Sequence, residues 1–201
     1  MARFIVFEGG DGSGKSTQAH ALYRRLQRRG YPALLTHEPG GTPVGESIRR
    51  WLKNHRNLSP LSELLLFAAA RSELVASVIR PALEIGTTVI SDRYTASTVA
   101  YQGYGRELDL ALIHRLNLLA AGGSAPDLTV LLDLPVEIAL FRRGQPGADR
   151  FESAPLEFHR RVREGYLSQA AADRLKWLVL DGTRPPRELS REIWEKVRPL
   201  L

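Results

Sequence analysis

The sequence predicts a three-layer α/β fold in which a five-stranded parallel sheet is covered by helices on both faces. Short apolar runs alternate with longer runs of helical period, as expected when each strand is followed by a crossover helix. The first apolar run leads straight into a glycine-rich loop, which is typical of a strand that ends at a ligand. The chain of 201 residues has no evident linker or repeat, so we expect a single domain over 1–201.

Five runs are predicted to be strands because they are short, rich in leucine or β-branched residues, and bounded by Gly, Pro or Asp. They are Phe4–Phe7, Ala33–Thr36, Thr88–Ser91, Leu128–Leu132 and Trp177–Leu180. Between the first two, Ala19, Leu22 and Leu26 recur on one helical face, and Gly30 follows as a stop signal.

Three further helices are indicated by their start signals. Ser59 and Pro60 read as an N-cap and a first-turn proline, and the helical pattern that follows runs to about Arg80. Pro135 and Pro186 open helices after strands in the same way. The segment after the Pro135 helix contains two glycines and a proline between arginines, so we expect a short lid loop at about 142–154.

Composition narrows the classes of function. There is no cysteine, which excludes disulfides and thiolate metal sites. The longest apolar run, Leu64 to Ala70, is too short to span a bilayer, and the N-terminal run resembles a buried strand more than a signal peptide. We therefore expect a cytoplasmic protein. The net charge of +6 permits nucleic acid, acidic membrane or phosphorylated small molecules as partners, but the arginines occur as separate pairs, typical of solvated helix faces.

The glycine-rich loop matches the phosphate-binding pattern G-x-x-x-x-G-K-[ST], between a strand and an amphipathic helix. Its backbone N–H groups would cradle phosphate oxygens, Lys15 would bridge the β and γ phosphates of ATP, and the Ser16 hydroxyl would bind Mg²⁺. The predicted fold is therefore of the P-loop NTPase type. The nucleotide-binding residues are Gly9, Gly10, Asp11, Gly12, Ser13, Gly14, Lys15, Ser16 and Thr17. This loop leaves open whether the γ-phosphate goes to water, to a protein or to a small acceptor.

Two side chains could recognise a base. Phe67 and Arg71 are four residues apart, so they share one helix face. An aromatic ring that stacks on a base, one turn from a donor for a base carbonyl, would form a reader of pyrimidines. The alternative is that Phe67 belongs to the core.

Asp92 and Arg93 follow the third strand, at the carboxyl end where open α/β sheets bind ligands. An arginine there can grip a monophosphate, and an aspartate can orient the ligands of Mg²⁺. The alternative is a surface ion pair.

Four segments in this order resemble bacterial thymidylate kinases: Thr36–Thr42, Phe67–Arg71, Asp92–Tyr94 and Asp149–Glu152. The resemblance covers nearly the whole chain. It implies ATP-dependent phosphorylation of dTMP to dTDP, with Mg²⁺, in a homodimer that needs no nucleic acid or membrane. His37 is a departure, because bacterial relatives usually have arginine before Glu38.

The resemblance also implies roles for individual residues. Phe67 would stack on thymine, Arg71 would contact its O4, and Tyr101 would crowd the 2′ position. Arg93 and Arg49 would hold the acceptor phosphate. The full set of substrate-binding residues is Glu38, Arg49, Phe67, Arg71, Arg93, Ser97, Thr98, Tyr101 and Gln102.

Charge around the transferred phosphate completes the predicted site. By resemblance Asp11 would contact the acceptor 3′-hydroxyl. Some thymidylate kinases lack an arginine directly after this aspartate and supply the positive charge for the donor phosphates from the lid. This chain has Gly12 at that position, so the resemblance implies that its lid supplies the charge. The predicted catalytic residues are Lys15, Asp11, Arg93, Arg142 and Arg150, and the metal ligands are Ser16 and Asp92. The alternative is that the lid arginines are merely solvated.

Two other functions remain open at this point. Related deoxynucleotide or deoxynucleoside kinases share the phosphate loop and an acid–arginine pair after a strand. The basic charge would also permit a nucleic-acid-associated ATPase, although the arginines form no contiguous groove pattern.

Overall fold

The computed structural model describes residues 2–55, 57–143 and 154–201, without the side chain of Arg143. Its centre is a five-stranded parallel sheet of order β2-β3-β1-β4-β5. The strands are β1 (Phe4–Glu8), β2 (Ala33–His37), β3 (Thr88–Asp92), β4 (Leu128–Asp133) and β5 (Trp177–Asp181). Each predicted strand is confirmed and extends one residue beyond its predicted end.

Helices cover both faces of the sheet. They are α1 (Lys15–Arg28), α2 (Pro43–Asn54), α3 (Pro60–Leu74), α4 (Arg80–Glu84), α5 (Thr95–Thr98), α6 (Leu110–Ala121), α7 (Val136–Arg143), α8 (Leu156–Ala172) and α9 (Pro186–Val197). Short π-helices join α3 to α4 and follow α5, at Val75–Ile79 and Val99–Gly105. In the described ranges, none of these helices is long and apolar enough to cross a bilayer.

Successive side chains of β1 point to opposite faces of the sheet, which explains why apolar clusters lie on both faces. Ile5 and Phe7 belong to the cluster that packs against α1 and α9, whereas Phe4 and Val6 belong to the cluster on the side of α3 and α4. All four side chains are buried. A strand buried on both faces needs apolar residues at every position, which is the continuous run seen in the sequence.

The long helix predicted from Ser59 differs from the prediction beyond its fourth turn. Ser59 caps α3 by accepting from the backbone N–H of Ser62, as expected. The helical path then changes to π geometry and resumes as α4, ending at Glu84 rather than near Arg80. Pro81 explains the change, because it has no N–H and its ring would clash with the carbonyl four residues earlier in an α-helix.

The topology sets the place of the site. The crossover after β1 runs to β2 on one side of the sheet, and the crossover after β3 runs to β4 on the other side. The crossovers therefore diverge between the neighbouring strands β1 and β3. The carboxyl ends of β1, β3 and β4 therefore meet at one edge, and ligands of open parallel sheets bind at such a switch point. Glu8, Asp92 and Asp133 end these three strands.

Candidate active site

The phosphate loop lies between β1 and α1 and depends on close backbone approach. A Cβ atom on Gly9 would lie 2.7 Å from the Leu132 carbonyl oxygen, and one on Gly12 would lie 2.8 Å from that of Ala139. Gly12 and Gly14 also have φ of 80° and 90°. Only glycine tolerates these positions, and the tight loop that they form can turn backbone N–H groups towards an anion.

Positive charge is concentrated at the start of α1. The Lys15 ammonium group donates to the Gly10 carbonyl oxygen (3.2 Å) and lies 3.6 Å from Asp11 Oδ1. Burial lowers the pKa of Lys15, while the neighbouring carboxylates favour its charged form. In the described part of the chain, no side chain caps the first turn of α1 and that turn carries no acidic residue. The helix N-terminus is therefore available to phosphate.

Ser16 and Asp92 form a pair beside this loop. The Ser16 hydroxyl donates to Asp92 Oδ2, and both residues line a cavity of about 440 Å³, called the Ser16 cavity. The other oxygen, Asp92 Oδ1, is buried and has no hydrogen-bond partner among the described residues. A buried carboxylate oxygen without a partner is costly, and a cation would satisfy it.

The donor set fits Mg²⁺. The described residues contain no cluster of three or more His, Cys, Asp or Glu side chains that could enclose a metal. One hydroxyl and one carboxylate suit Mg²⁺, which usually takes one or two protein oxygens and completes its shell with phosphates and water.

Arg93 stands at the end of β3 in a left-handed backbone conformation, with φ of 75°. Its Nη2 donates to Asp11 Oδ1 (2.6 Å) and to the Tyr101 hydroxyl (3.2 Å), and its Nη1 donates to the Gly9 carbonyl oxygen (3.3 Å). The side chain is 16% exposed. Arg93 thus pairs with the phosphate loop rather than forming the surface ion pair with Asp92 that the sequence left open.

A buried network supports Arg93, and the sequence pattern did not indicate it. Glu8 is fully buried at the end of β1 and accepts hydrogen bonds from the Ser97 hydroxyl (2.6 Å), the Tyr94 N–H (2.8 Å) and the Tyr166 hydroxyl (3.1 Å). Burial raises the pKa of Glu8, although these donors and Arg93 oppose the shift. An acidic residue at the end of an apolar strand was the available signal.

A second cavity of about 250 Å³, called the Phe67 cavity, adjoins the Ser16 cavity. All nine predicted substrate-binding residues line it: Glu38, Arg49, Phe67, Arg71, Arg93, Ser97, Thr98, Tyr101 and Gln102. Phe67 is only partly buried and faces this cavity, so the alternative of a core position is not supported. Asp11, Glu38, Arg49 and Arg93 line both cavities and form the junction between them.

Arg71 is one of the most buried side chains in the described chain, at 1% exposure. Its Nε donates to Glu38 Oε2 (2.8 Å), its Nη1 to Asn117 Oδ1 (2.6 Å), and its Nη2 to the Thr98 hydroxyl (2.8 Å). Burial raises the pKa of Glu38 to about 7, and the Arg71 guanidinium opposes that rise. These contacts fix the guanidinium in one orientation at the cavity wall.

The remaining predicted residues are placed less centrally. The Arg49 guanidinium donates to the Pro39 carbonyl oxygen (3.0 Å) at the junction. Arg142 instead donates to the carbonyl oxygens of Gly182 (2.8 Å) and Thr183 (3.5 Å), in the loop between β5 and α9. Arg150 and most of the predicted lid lie outside the described residues.

His37, which is not among the predicted site residues, has a structural contact. Its Nε2 lies 2.9 Å from Glu46 Oε1, and the same carboxylate accepts from the Gly41 N–H (3.0 Å). These contacts tie the loop after β2 to the first turns of α2. His37 also lines the Ser16 cavity.

The fold and the two joined cavities define a P-loop kinase, with a cradle for donor phosphates and a separate cavity for an acceptor. Comparison with known proteins narrows the class further. The model of the thymidylate kinase family matches residues 7–193. The chain therefore belongs to the thymidylate kinase family.

Full-length relatives agree with this assignment. A thymidylate kinase of Dehalococcoides mccartyi is 52% identical over 203 residues, covering 100% of this chain and 98% of that protein. One of Thermomicrobium roseum is 49% identical, with 100% and 97% coverage. The crystal structure of thymidylate kinase from Ehrlichia chaffeensis superposes with a TM-score of 0.83 at 36% identity, covering 98% of each chain. The resemblance stated from the sequence motifs is thus confirmed.

Proposed function

We propose that this chain transfers the γ-phosphoryl group of ATP to dTMP and releases dTDP, for the supply of dTTP. The observation that carries the proposal is the junction of the two cavities at Asp11, Glu38, Arg49 and Arg93. One side of the junction offers Lys15 and the phosphate loop to a donor. The other side offers a pocket with an aromatic wall to an acceptor, so two phosphate esters can meet end to end.

The acceptor base would bind deep in the Phe67 cavity. The ring of Phe67 lies on the cavity wall and can stack on a pyrimidine. Arg71 has five N–H groups, of which four have acceptors in the described structure. The remaining Nη1–H is available to the base O4. Tyr101, held between Arg93 and Asp11, would close the 2′ side.

The chemistry would be one of alignment and charge rather than proton abstraction. The attacking oxygen belongs to a phosphate that is already ionised at neutral pH, so it needs no general base. Arg93 and Arg49 would hold the acceptor phosphate at the junction, and Lys15 would neutralise charge on the donor. Ser16 and Asp92 would hold Mg²⁺, which would supply charge neutralisation at the donor phosphates. Asp11 would orient the acceptor through its 3′-hydroxyl.

Lid arginines would supply the remaining positive charge at the transferred group. Arg142 lies in the last turn of α7, at the start of the proposed lid, and Arg150 lies further along the lid. A transition-state arginine is worth about 10³–10⁵ in rate. Arg150→Ala should therefore lower kcat far more than it raises the dTMP KM, and an unchanged kcat would remove Arg150 from this role.

One panel of possible phosphoryl acceptors distinguishes phosphorylation of dTMP from the alternative activities. With ATP and Mg²⁺, the purified protein should convert dTMP to its diphosphate and leave thymidine, AMP and GMP unphosphorylated; dUMP and dCMP measure the contribution of the base. A deoxynucleoside kinase would act on thymidine instead. ATPase activity that depends on added DNA or RNA, without diphosphate formation, would favour a nucleic-acid-associated ATPase and contradict the proposal.

We also propose a cytoplasmic homodimer formed through α3 and α6. Leu118 and Leu119 on α6 are 70% and 77% exposed, and Leu61 and Leu65 lie exposed one turn apart on α3. The two helices pack against each other, so these side chains can form one apolar surface. Light scattering should give twice the chain mass, and Leu119→Lys should shift it towards the monomer. A monomeric wild type would contradict this assembly.

A further inference from the structure

A buried carboxylate stands behind the Phe67 cavity and contacts one of its lining residues. Glu63 lies on α3, one turn before Phe67 and two turns before Arg71, and is 0% exposed. Its Oε1 accepts a hydrogen bond of 2.6 Å from the side-chain amide nitrogen of Gln102. Gln102 is itself buried and lines the cavity.

This contact decides which end of the Gln102 amide faces the ligand. An ionised carboxylate can only accept hydrogen bonds, so the –NH₂ end of Gln102 must point at Glu63. A flipped amide would place its carbonyl oxygen against Glu63 Oε1 and lose the bond. Arg106 Nη2 donates to the other oxygen, Glu63 Oε2 (3.4 Å), so both oxygens of this carboxylate accept hydrogen bonds. The Gln102 carbonyl oxygen is therefore left for the cavity.

Glu63 would then set the base preference of the proposed dTMP site. A carbonyl acceptor from Gln102 and an N–H donor from Arg71 complement a pyrimidine with a ring N3–H and a carbonyl at position 4. Cytosine presents the reverse pattern, with an unprotonated N3 and an amino group. We propose that Glu63 is a positioning residue that excludes cytosine nucleotides by fixing the Gln102 amide, an inference that rests on the proposed function.

The test compares dTMP with 5-methyl-dCMP, which differs from it only at N3 and position 4. Glu63→Gln keeps the shape but can donate as well as accept, so the Gln102 amide can adopt both orientations. The ratio of kcat/KM for dTMP over 5-methyl-dCMP should fall by about tenfold, the effect of one hydrogen bond. Some preference should remain, because Arg71 still disfavours the amino group.

The matched control is Glu73→Gln, the same substitution at a position nearer the end of α3. Glu73 accepts a hydrogen bond from the Ser77 hydroxyl and does not line the Phe67 cavity. The Glu73→Gln variant should therefore have the wild-type ratio of kcat/KM for dTMP over 5-methyl-dCMP. Calorimetry gives the dissociation constants of the two monophosphates, and their ratio checks the same preference without turnover. If Glu63 contributed only to stability, Glu63→Gln would weaken the binding of both monophosphates equally and leave the ratio unchanged.

If Glu63→Gln folds poorly, a second variant provides the same test. Glu63→Leu with Arg106→Met replaces both members of the ion pair by apolar residues, an exchange that is often neutral or stabilising. It also frees the Gln102 amide, so the ratio should fall here too. A wild-type ratio in the folded variants overturns the inference. Absence of dTMP phosphorylation by the wild type in the same assay would instead overturn the proposed function.

Discussion

The hydroxyl of Tyr166 offers a sharp test of how the acceptor site is supported. Tyr166 lies on α8, the helix that follows the proposed lid, and is fully buried. Its hydroxyl donates to Glu8 Oε2 (3.1 Å) and accepts from Arg93 Nη1 (3.1 Å), and it lies 2.8 Å from the Ser97 hydroxyl. Tyr166→Phe removes this one oxygen and leaves the ring in place.

The magnitude follows from what remains after the substitution. Hydrogen bonds to charged groups contribute about 1.5–3 kcal/mol each. Glu8 keeps the Ser97 hydroxyl and the Tyr94 N–H, and Arg93 keeps Asp11, so neither charge loses all its partners. We therefore expect a loss of about 2 kcal/mol in the free energy of unfolding, near the value for one such bond. The dTMP KM should rise about fivefold to tenfold, since Arg93 is less firmly held, with the ATP KM unchanged.

Urea denaturation and steady-state kinetics measure the two effects, and Tyr104→Phe is the matched control. The Tyr104 hydroxyl donates to Ser168 of the same helix α8 at the surface, so its removal should cost less than about 1 kcal/mol and leave the dTMP KM unchanged. Wild-type stability together with a wild-type dTMP KM in Tyr166→Phe would refute the supporting role of this network.

Three further substitutions test separate parts of the site. Phe67→Leu should raise the dTMP KM about tenfold through lost stacking, and an equal rise in the ATP KM would contradict a base-binding role. Because the Glu38 pKa is raised from 4.5 to about 7, its contribution to stability is present below pH 4.5 and lost as pH rises through 7. Urea denaturation should therefore show that Glu38→Gln destabilises the protein by about 3 kcal/mol less, relative to wild type, at pH 8 than at pH 4.5; a constant difference would contradict the raised pKa. Asp92→Asn should increase the Mg²⁺ concentration needed for half-maximal activity, and an unchanged Mg²⁺ titration would exclude Asp92 from the metal site.

The strands and the phosphate loop were predictable because their signals are local. A buried parallel strand needs an unbroken apolar run, and the loop needs glycines at fixed spacing before Lys15. The path of the helix after Ser59 was predicted less well. Pro81 marks a disturbance, but the pattern does not show that the chain adopts π geometry and continues to Glu84.

The residues behind the site could not be predicted, because their roles arise from distant partners. Glu8 meets Tyr166 across 158 positions, and Glu63 meets Gln102 across 39. Each of them alone resembles an ordinary strand-end or helix residue. Asn117 likewise becomes visible only as the acceptor for Arg71. Local motifs thus identified the residues that line the cavities, whereas the network that orients them required the fold.

The central claim is that donor and acceptor phosphates bind at once, on opposite sides of the junction at Arg93. It is tested most directly by calorimetry with a non-hydrolysable ATP analogue, dTMP, and a linked ligand in which adenosine and thymidine are joined by five phosphates. We predict one equivalent of each single ligand per chain, bound together, and displacement of both by one equivalent of the linked ligand. Mutually exclusive binding of dTMP and the ATP analogue would contradict the account.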